Sequence, residues 1–174
     1  LNLIDQKLIN PDLLYGSWAG AFGNFQFMPS TIKNYAVDYD KNNIIELKSI
    51  KDSFASAANY LNLIGWNKNE PCFMKIELKD NIPIKFLNTS AQKINYKKKL
   101  KYYKKYINNY DNIKNYSNMR AAIVTPDKDI VENPNIYSPA YIVFSNYELI
   151  LKWNRSLRFA LAVCTLKDNI KNEL

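Results

Sequence analysis

The chain has 174 residues, of which 47% are apolar, and this is enough for one globular domain with a hydrophobic core. It contains no histidine, which excludes catalytic triads with an imidazole base, zinc sites with His ligands and imidazole proton shuttles. The net charge of +8 indicates an anionic partner, but charge alone does not choose between a polymer and a membrane surface.

The first two predicted helices flank a glycine-rich loop. Residues 1–9 have apolar side chains at helical spacing, and Asn10-Pro11 ends this helix because the residue before proline is forced out of the helical region. Residues 16–30 contain three of the four glycines within eight positions, which indicates positive φ angles or a close approach of a ligand. Pro29 begins a helix that runs to about Val37. The loop is either a contact surface, for example for a sugar polymer, or a tight turn over a small core.

A third helix is predicted with Asp52 as its N-cap and Gly65 as its stop. Tyr60 falls near the end of this helix. The expected buried face is one apolar stripe, formed by Phe54, Ala57, Ala58 and Leu61.

The rest of the chain alternates short strands with one long helix. Residues 72–79 alternate in strand fashion, and short strands are predicted at 82–86, 121–124 and 141–144. A last helix is predicted at about 157–170. Its expected buried residues are Phe159, Val163, Leu166 and Ile170.

Residues 96–110 interleave six lysines with five tyrosines. Such a pattern suits a solvated helix that packs Leu100, Tyr103 and Ile107 inward, a contact with glycan or another anionic envelope component, or single-stranded nucleic acid. We favour the solvated helix.

The two cysteines, Cys72 and Cys164, cannot form a four-thiolate zinc site, and their spacing indicates no redox motif. One disulfide and two buried thiols remain as alternatives, and we favour two buried thiols.

Two ordered series of motifs resemble the lytic murein transglycosylase B family. The first comprises GSWAGAFGNFQFMPS from Gly16, YAVD from Tyr35, ASAANY from Ala55 and GW at Gly65. The second comprises SNYELILKWNRS from Ser145 and FALAV from Phe159. The resemblance is strong over residues 11–68, moderate over 141–166 and weak between them.

This resemblance implies an α+β, mainly helical fold: a lysozyme-like transglycosylase core with a small strand-containing insert. Residues 1–68 would then be the C-terminal part of the catalytic core. Residues 69–140 would form the strand-containing, Lys/Tyr-rich segment, and residues 141–174 would be closing helices that return to the core.

The resemblance also implies a peptidoglycan lytic transglycosylase. Such enzymes cut the β-1,4 bond between MurNAc and GlcNAc without water and leave 1,6-anhydro-MurNAc, with one Glu acting first as acid and then as base. In the family that Glu lies several dozen residues before the glycine-rich block, and here none of the fifteen residues before Gly16 is Glu. We therefore expect a fragment whose catalytic Glu lies upstream of Leu1 and which is inactive alone.

The expected setting is the periplasm or cell envelope of a Gram-negative bacterium, with peptidoglycan strands as partner and the protein as a monomer. A signal segment, or a lipid anchor to the outer membrane, would lie upstream of Leu1. The alternatives are a non-catalytic peptidoglycan-binding remnant and, less favoured, a basic nucleic-acid-binding domain. Under the main hypothesis, nucleic acid is not expected as a partner.

By resemblance, five side chains form the glycan-binding wall: Ser17, Gln26, Tyr60, Trp153 and Asn154. Hydroxyl and amide groups would bind sugar hydroxyls and acetamido groups, and aromatic rings would cover the sugar faces. We favour this function for Gln26 and Asn154, and packing for Trp18 and Phe27. Packing is the alternative for Trp153, and capping or turn bonds are the alternative for Ser17 and Asn154.

Some family members bind calcium in an EF-hand-like loop, which here would span residues 38–49. Asn43 stands where glycine is usual, and Ser49 cannot supply the bidentate carboxylate of the last position. We expect no required cofactor and favour a metal-free turn over calcium. The candidate ligands are Asp38, Asp40, Asn42, the Ile44 carbonyl, Glu46 and Ser49.

Overall fold

The computed structural model describes residues 2–5, 16–126 and 137–173, and in these ranges no helix has the length and apolar character needed to span a membrane. The helices are α1 (Asn2–Asp5), α2 (Pro29–Tyr35), α3 (Ile50–Leu63), α4 (Ser145–Trp153) and α5 (Leu157–Glu173). The strands are β1 (Phe73–Ile76), β2 (Leu87–Asn88), β3 (Lys98–Lys99), β4 (Arg120–Val124) and β5 (Ala140–Val143).

The chain divides into two compact units, Leu1–Trp66 and Asn67–Leu174. Helices α1 to α3 belong to the first unit, and the strands, α4 and α5 belong to the second. The predicted division of the chain into residues 1–68, 69–140 and 141–174 stays a prediction. Most of the predicted helix at 1–9 lies outside the described residues.

The N-terminus of α3 differs from the prediction. Ser49 is the N-cap, and its hydroxyl accepts a hydrogen bond from the Asp52 amide at 3.3 Å. Asp52 is instead buried in the first turn, where its two carboxylate oxygens accept from the amides of Tyr39 and Glu46, each at 2.9 Å. Gly65 follows the helix with a φ of 104°, which confirms the predicted stop.

The buried face of α3 is largely polar, and the predicted apolar stripe is confirmed only in part. Ala57 is buried and Leu61 is half-buried, whereas Phe54 and Ala58 are exposed. Phe54 is 60% exposed, with its ring edge-to-face against Phe25 at 5.1 Å. The buried side chains are Asp52, Ser53, Ser56, Ala57 and Tyr60.

The reason is that α3 contacts α2 through Tyr60 and Tyr35, whereas much of the rest of its inner face pairs with backbone groups of neighbouring loops. Loop amides and carbonyls lack ladder partners and must be paired by side chains when they are buried. The Ser56 hydroxyl accepts from the Val37 amide at 3.0 Å, and the Asn59 side chain donates to the Tyr35 carbonyl at 2.8 Å. A helix that satisfies loops in this way needs small polar residues on its inner face.

The second unit contains a mixed sheet in the order β1-β5-β4-β2, with β3 paired to β4. β4 and β5 are antiparallel, with Ile123 opposite Ile142, whereas β2 runs parallel to β4. The predicted strands at 121–124 and 141–144 are confirmed, and the alternating segment 72–79 contains β1.

The predicted strand at 82–86 is wrong. Ile84–Phe86 forms a 3₁₀ turn after Pro83, and strand β2 begins only afterwards. Proline has no amide proton for a sheet ladder, and the φ of −63° at Pro83 suits the start of a turn.

Within the Lys/Tyr-rich residues 96–110, strand β3 is followed by a 3₁₀ helix, Leu100–Tyr106, whose apolar side packs on the sheet. Leu100, Tyr103 and Ile107 are all buried, as predicted. The Tyr103 hydroxyl donates to the Tyr96 carbonyl, and burial raises the pKa of Tyr103 to about 12. The lysines of the segment are exposed, so it is solvated on one side.

Helix α4 begins next to a buried amide. The Asn146 side chain donates to the carbonyls of Asn67 and Glu70, each at 2.7 Å, and accepts from the Asn67 amide at 3.0 Å. Asn146 thereby satisfies three polar groups of the segment that leads into β1.

A disulfide joins Cys72, just before β1, to Cys164 on α5, with 6.0 Å between the Cα atoms. The prediction of two thiols is therefore wrong. The disulfide also explains why the buried face of α5 differs from the predicted one. The buried residues of α5 include Leu157, Ala160 and Cys164, which share one helical face, and this leaves Leu166 exposed. Phe159 and Ile170 are exposed as well, and Val163 is half-buried.

Replacing both cysteines by alanine is expected to lower the free energy of unfolding by about 2–4 kcal/mol, because the disulfide closes a long loop in the unfolded chain. The separation between its cysteines is 92 residues. Urea unfolding followed by circular dichroism measures the change. Dithiothreitol should destabilise the wild type and leave the double variant unaffected; equal stability of the two proteins without reductant would contradict the prediction.

Candidate functional site

The glycine-rich loop closes as a tight hairpin. Phe22 and Phe27 exchange two backbone hydrogen bonds of 2.9 and 2.8 Å, and both rings are buried. Gly23 has a φ of 78°, and a Cβ there would lie 2.6 Å from the Leu47 carbonyl oxygen, so this position requires glycine. Gln26 also has positive φ, at 51°. The turn therefore has one defined conformation in which residues 24–26 project from the buried pair.

Ser17 and Gln26 lie on this loop with exposed side chains. The Ser17 hydroxyl accepts from the Ala21 amide at 3.1 Å, and the Gln26 amide group donates to the Gly23 carbonyl at 2.8 Å. These bonds fix the direction of both side chains, which stay exposed to solvent. Trp18 is fully exposed, so the expectation of packing is wrong for Trp18 and confirmed for Phe27.

Tyr60 lies on α3 behind the hairpin. Its ring packs edge-to-face on Tyr35 at 4.9 Å and lies 6.0 Å from the ring of Phe27. Burial raises the pKa of Tyr60, and the neighbouring Tyr35 adds to this effect. Phe27 therefore links the loop that carries Gln26 to the helix that carries Tyr60.

Trp153 and Asn154 belong to the second unit, at the end of α4. The Asn154 amide donates to the Ile150 carbonyl at 3.0 Å, and its own carbonyl accepts from Ser156 at 2.8 Å. Its side chain is exposed, and Trp153 is half-buried. The backbone thus fixes Asn154 at the corner between α4 and α5.

The predicted calcium loop brings three carboxylates together, but the set differs from the predicted one. Oxygens of Asp38, Asp40 and Asp52 lie within 4.8 Å of one another. Ser49, the predicted last ligand, caps α3 instead. The ligand spacing of a twelve-residue calcium loop does not reach Asp52, so the sequence did not predict it as part of the cluster. The signal that could have identified it is an acidic residue in the first turn of the helix that follows the loop.

The backbone of this loop curls around its acidic side chains. The Asp38 carboxylate accepts from the amides of Asn42 at 3.2 Å and Asn43 at 2.7 Å. Asn43 has a φ of 70°, the left-handed conformation anticipated at the usual glycine position. Carboxylate oxygens at this mutual distance fit the oxygen-rich coordination of calcium.

The sequence profile of the transglycosylase SLT domain matches residues 1–168. The chain belongs to this family. The predicted family is thereby confirmed, and so is the α+β, mainly helical, lysozyme-like fold class.

Individual relatives agree with this assignment. The membrane-bound lytic murein transglycosylase B of Escherichia coli K12 is 46% identical over 61 residues, which are 35% of this chain and 17% of the relative. SltB3 from Pseudomonas aeruginosa, in complex with NAG-NAM-pentapeptide, is 27% identical with a TM-score of 0.78, over 98% of this chain and 44% of SltB3. Slt35 from Escherichia coli, in complex with calcium, shares the fold with a TM-score of 0.65 at 23% identity, over 98% and 50% of the two chains. The chain thus spans about half the length of these solved structures.

Asp52→Asn is expected to destabilise the first unit by about 1–3 kcal/mol, because an amide cannot accept from two backbone donors through two oxygens. Hydrogen exchange followed by NMR should show loss of protection at the amides of Tyr39 and Glu46. The matched control is Asp40→Asn, which removes the same charge from an exposed residue and should cost little. Unchanged protection of both amides in Asp52→Asn would contradict the role assigned to its carboxylate.

Proposed function

We propose that the chain forms the glycan-binding wall of a peptidoglycan lytic transglycosylase, which cleaves the MurNAc–GlcNAc β-1,4 bond and leaves a 1,6-anhydro-MurNAc end. The observation that carries the proposal is the rigid hairpin that holds the polar groups of Ser17 and Gln26 toward solvent. Membership of the transglycosylase SLT domain family supports it, as does the 27% identity to SltB3, a protein solved with a peptidoglycan fragment. The family favours an enzyme over a non-catalytic remnant.

Glycan binding would use neutral groups. Amide groups of Gln26 and Asn154 and the hydroxyl of Ser17 can pair with sugar hydroxyls and acetamido groups. Trp18, fully exposed at the turn of the loop, offers a flat apolar face on which a pyranose ring can stack. Tyr60 is buried, so its contribution is to support the hairpin through Phe27.

We further propose that this chain alone does not cleave. A general acid of this type needs a largely apolar, enclosed setting that keeps its proton near neutral pH. None of the five glutamates in the described part of the chain is buried, and Glu132 lies outside it. Glu70 accepts from the Ser145 amide, and Glu148 pairs with Lys97 at 3.0 Å.

We propose the periplasm or cell envelope as the site of action, because peptidoglycan is found there. The disulfide between Cys72 and Cys164 supports this location, since disulfides persist in oxidising compartments such as the periplasm. The monomeric state and a lipid anchor upstream stay predictions.

The acidic loop is a candidate calcium site, held by Asp38, Asp40 and Asp52. If it binds calcium, millimolar CaCl₂ should raise the melting temperature, because a ligand at about 100 times its Kd adds about 2.7 kcal/mol to the folded state. Differential scanning fluorimetry with CaCl₂, MgCl₂ and EDTA measures the shift. Asp40→Asn should reduce it, and identical melting in CaCl₂ and EDTA would contradict the calcium site.

Binding to purified sacculi tests the glycan-binding wall. Gln26→Ala and Asn154→Ala should each weaken binding by about fivefold to tenfold, the loss of roughly one hydrogen bond. The control is Asn34→Ala, an exposed amide on α2 outside the proposed wall. Equal binding by all three variants would contradict the proposal.

Product analysis tests the statement on catalysis. Sacculi incubated with the chain should release no 1,6-anhydro muropeptides detectable by chromatography and mass spectrometry, because no described glutamate is suitably enclosed. Release of such products, abolished by a Glu→Gln change at any one position, would overturn the proposal that the chain is inactive alone.

A further inference from the structure

A cleft in the second unit takes no part in the proposed glycan wall. It consists of two adjoining cavities of about 290 and 450 Å³ that share Ala91, Gln92 and Arg155. One wall is the loop after β2, residues 89–97, and the other is α4 with the corner that leads into α5. We call this the basic cleft.

Positive charge dominates the basic cleft. Among the described residues that line it, the single carboxylate is Glu148, which pairs with Lys97 across the two walls at 3.0 Å. Among the residues that the structure describes, Lys93, Lys152 and Arg155 have no carboxylate partner. The cationic side chains of the lining are Lys93, Lys97, Lys152, Arg155 and Arg158.

Such a group of like charges repels itself, and an anion in the cleft would offset the repulsion. Polar groups suited to an anion lie beside the charges, since Thr89, Ser90 and Ser156 bring hydroxyls to the smaller cavity. The planar guanidinium of Arg155 can donate two parallel hydrogen bonds to one carboxylate or phosphate.

The cleft begins one residue after Asn154, the residue of the second unit that is proposed to contact glycan. Arg155 follows Asn154, and consecutive Cα atoms are only about 3.8 Å apart. In peptidoglycan, the stem peptide is attached to MurNAc, and its acidic residues carry several carboxylates. A strand whose MurNAc lies against Asn154 would therefore carry carboxylates within reach of Arg155 and the lysines beyond it.

We propose that the basic cleft binds the carboxylates of the peptidoglycan stem peptide, so that the protein prefers peptide-bearing strands over bare glycan. This rests on the proposed glycan function. Free phosphate offers similar chemistry to Arg155, but it lacks the several spaced charges that would engage cations on both walls of the cleft.

Calorimetry on the full chain tests this with three probes: glycan strands that carry stem peptides, the same strands stripped by an amidase, and the soluble tripeptide L-alanyl-γ-D-glutamyl-diaminopimelate. The wild type should bind peptide-bearing strands at least about fivefold more tightly than stripped ones, and the preference should fall with salt. Lys93→Gln/Lys152→Gln should abolish the preference and the tripeptide binding and leave stripped-strand binding unchanged.

The matched control is Lys79→Gln/Lys101→Gln, which removes the same charge from exposed lysines outside the cleft and should keep the preference. Equal affinity of the wild type for both kinds of strand would overturn the stem-peptide proposal and leave the glycan function standing. Inorganic phosphate binding as tightly as the tripeptide would overturn it in favour of a simple anion site. If neither kind of strand binds, the glycan function is wrong. Binding of the tripeptide would then still support the cleft as a stem-peptide site, and its absence would overturn that proposal too.

Discussion

The first unit depends on how its loops satisfy their buried backbone groups. Residues 16–49 contain one short helix and no strand ladder, apart from the single bridge between Phe22 and Phe27. The carboxylate of Asp52 and the hydroxyl of Ser56 replace that ladder, because they accept from loop amides that would otherwise be buried without partners. The orientation of the glycine-rich hairpin follows from this, since its Asn24 amide donates to the Leu47 carbonyl.

The second unit meets the same requirement in another way. Its sheet pairs most backbone groups through ladders, and Asn146 and the disulfide attach α4 and α5 to the strand edge. The Tyr147 hydroxyl donates to the Leu157 carbonyl at 2.7 Å and so links α4 to the start of α5. The corner that carries Asn154 is therefore fixed from both sides, as a residue proposed to contact a sugar needs to be.

The sequence predicted those elements whose signals are local. Pro29 begins a helix, Gly65 ends one, and the β-branched segments near 121 and 141 are strands, because each of these depends on its own φ preference or packing pattern. Predictions failed where a distant partner decides. The face of α3 is chosen by the loops it satisfies, and the face of α5 by the disulfide to a cysteine 92 residues away. In the candidate site, motif matching assigns glycan contacts to Ser17 and Gln26, and these roles stay predictions. Spacing rules could not find Asp52, because it enters the acidic cluster from a helix outside the expected loop.

Two groups of cations that contribute to the net charge of +8 have different surroundings. In the 3₁₀ segment, lysines lie over tyrosine rings, as Lys105 does over Tyr106 at 4.8 Å, so part of their charge serves cation–π contacts on a solvated surface. In the basic cleft, Lys93 and Lys152 have neither a carboxylate partner nor an aromatic ring contact among the residues that the structure describes. Charge that solvent and rings already stabilise needs no ligand, whereas charge converging on a cavity is stabilised by an anion. This difference is the reason that the stem-peptide proposal places the anionic partner at the basic cleft and not at the more conspicuous Lys/Tyr-rich segment.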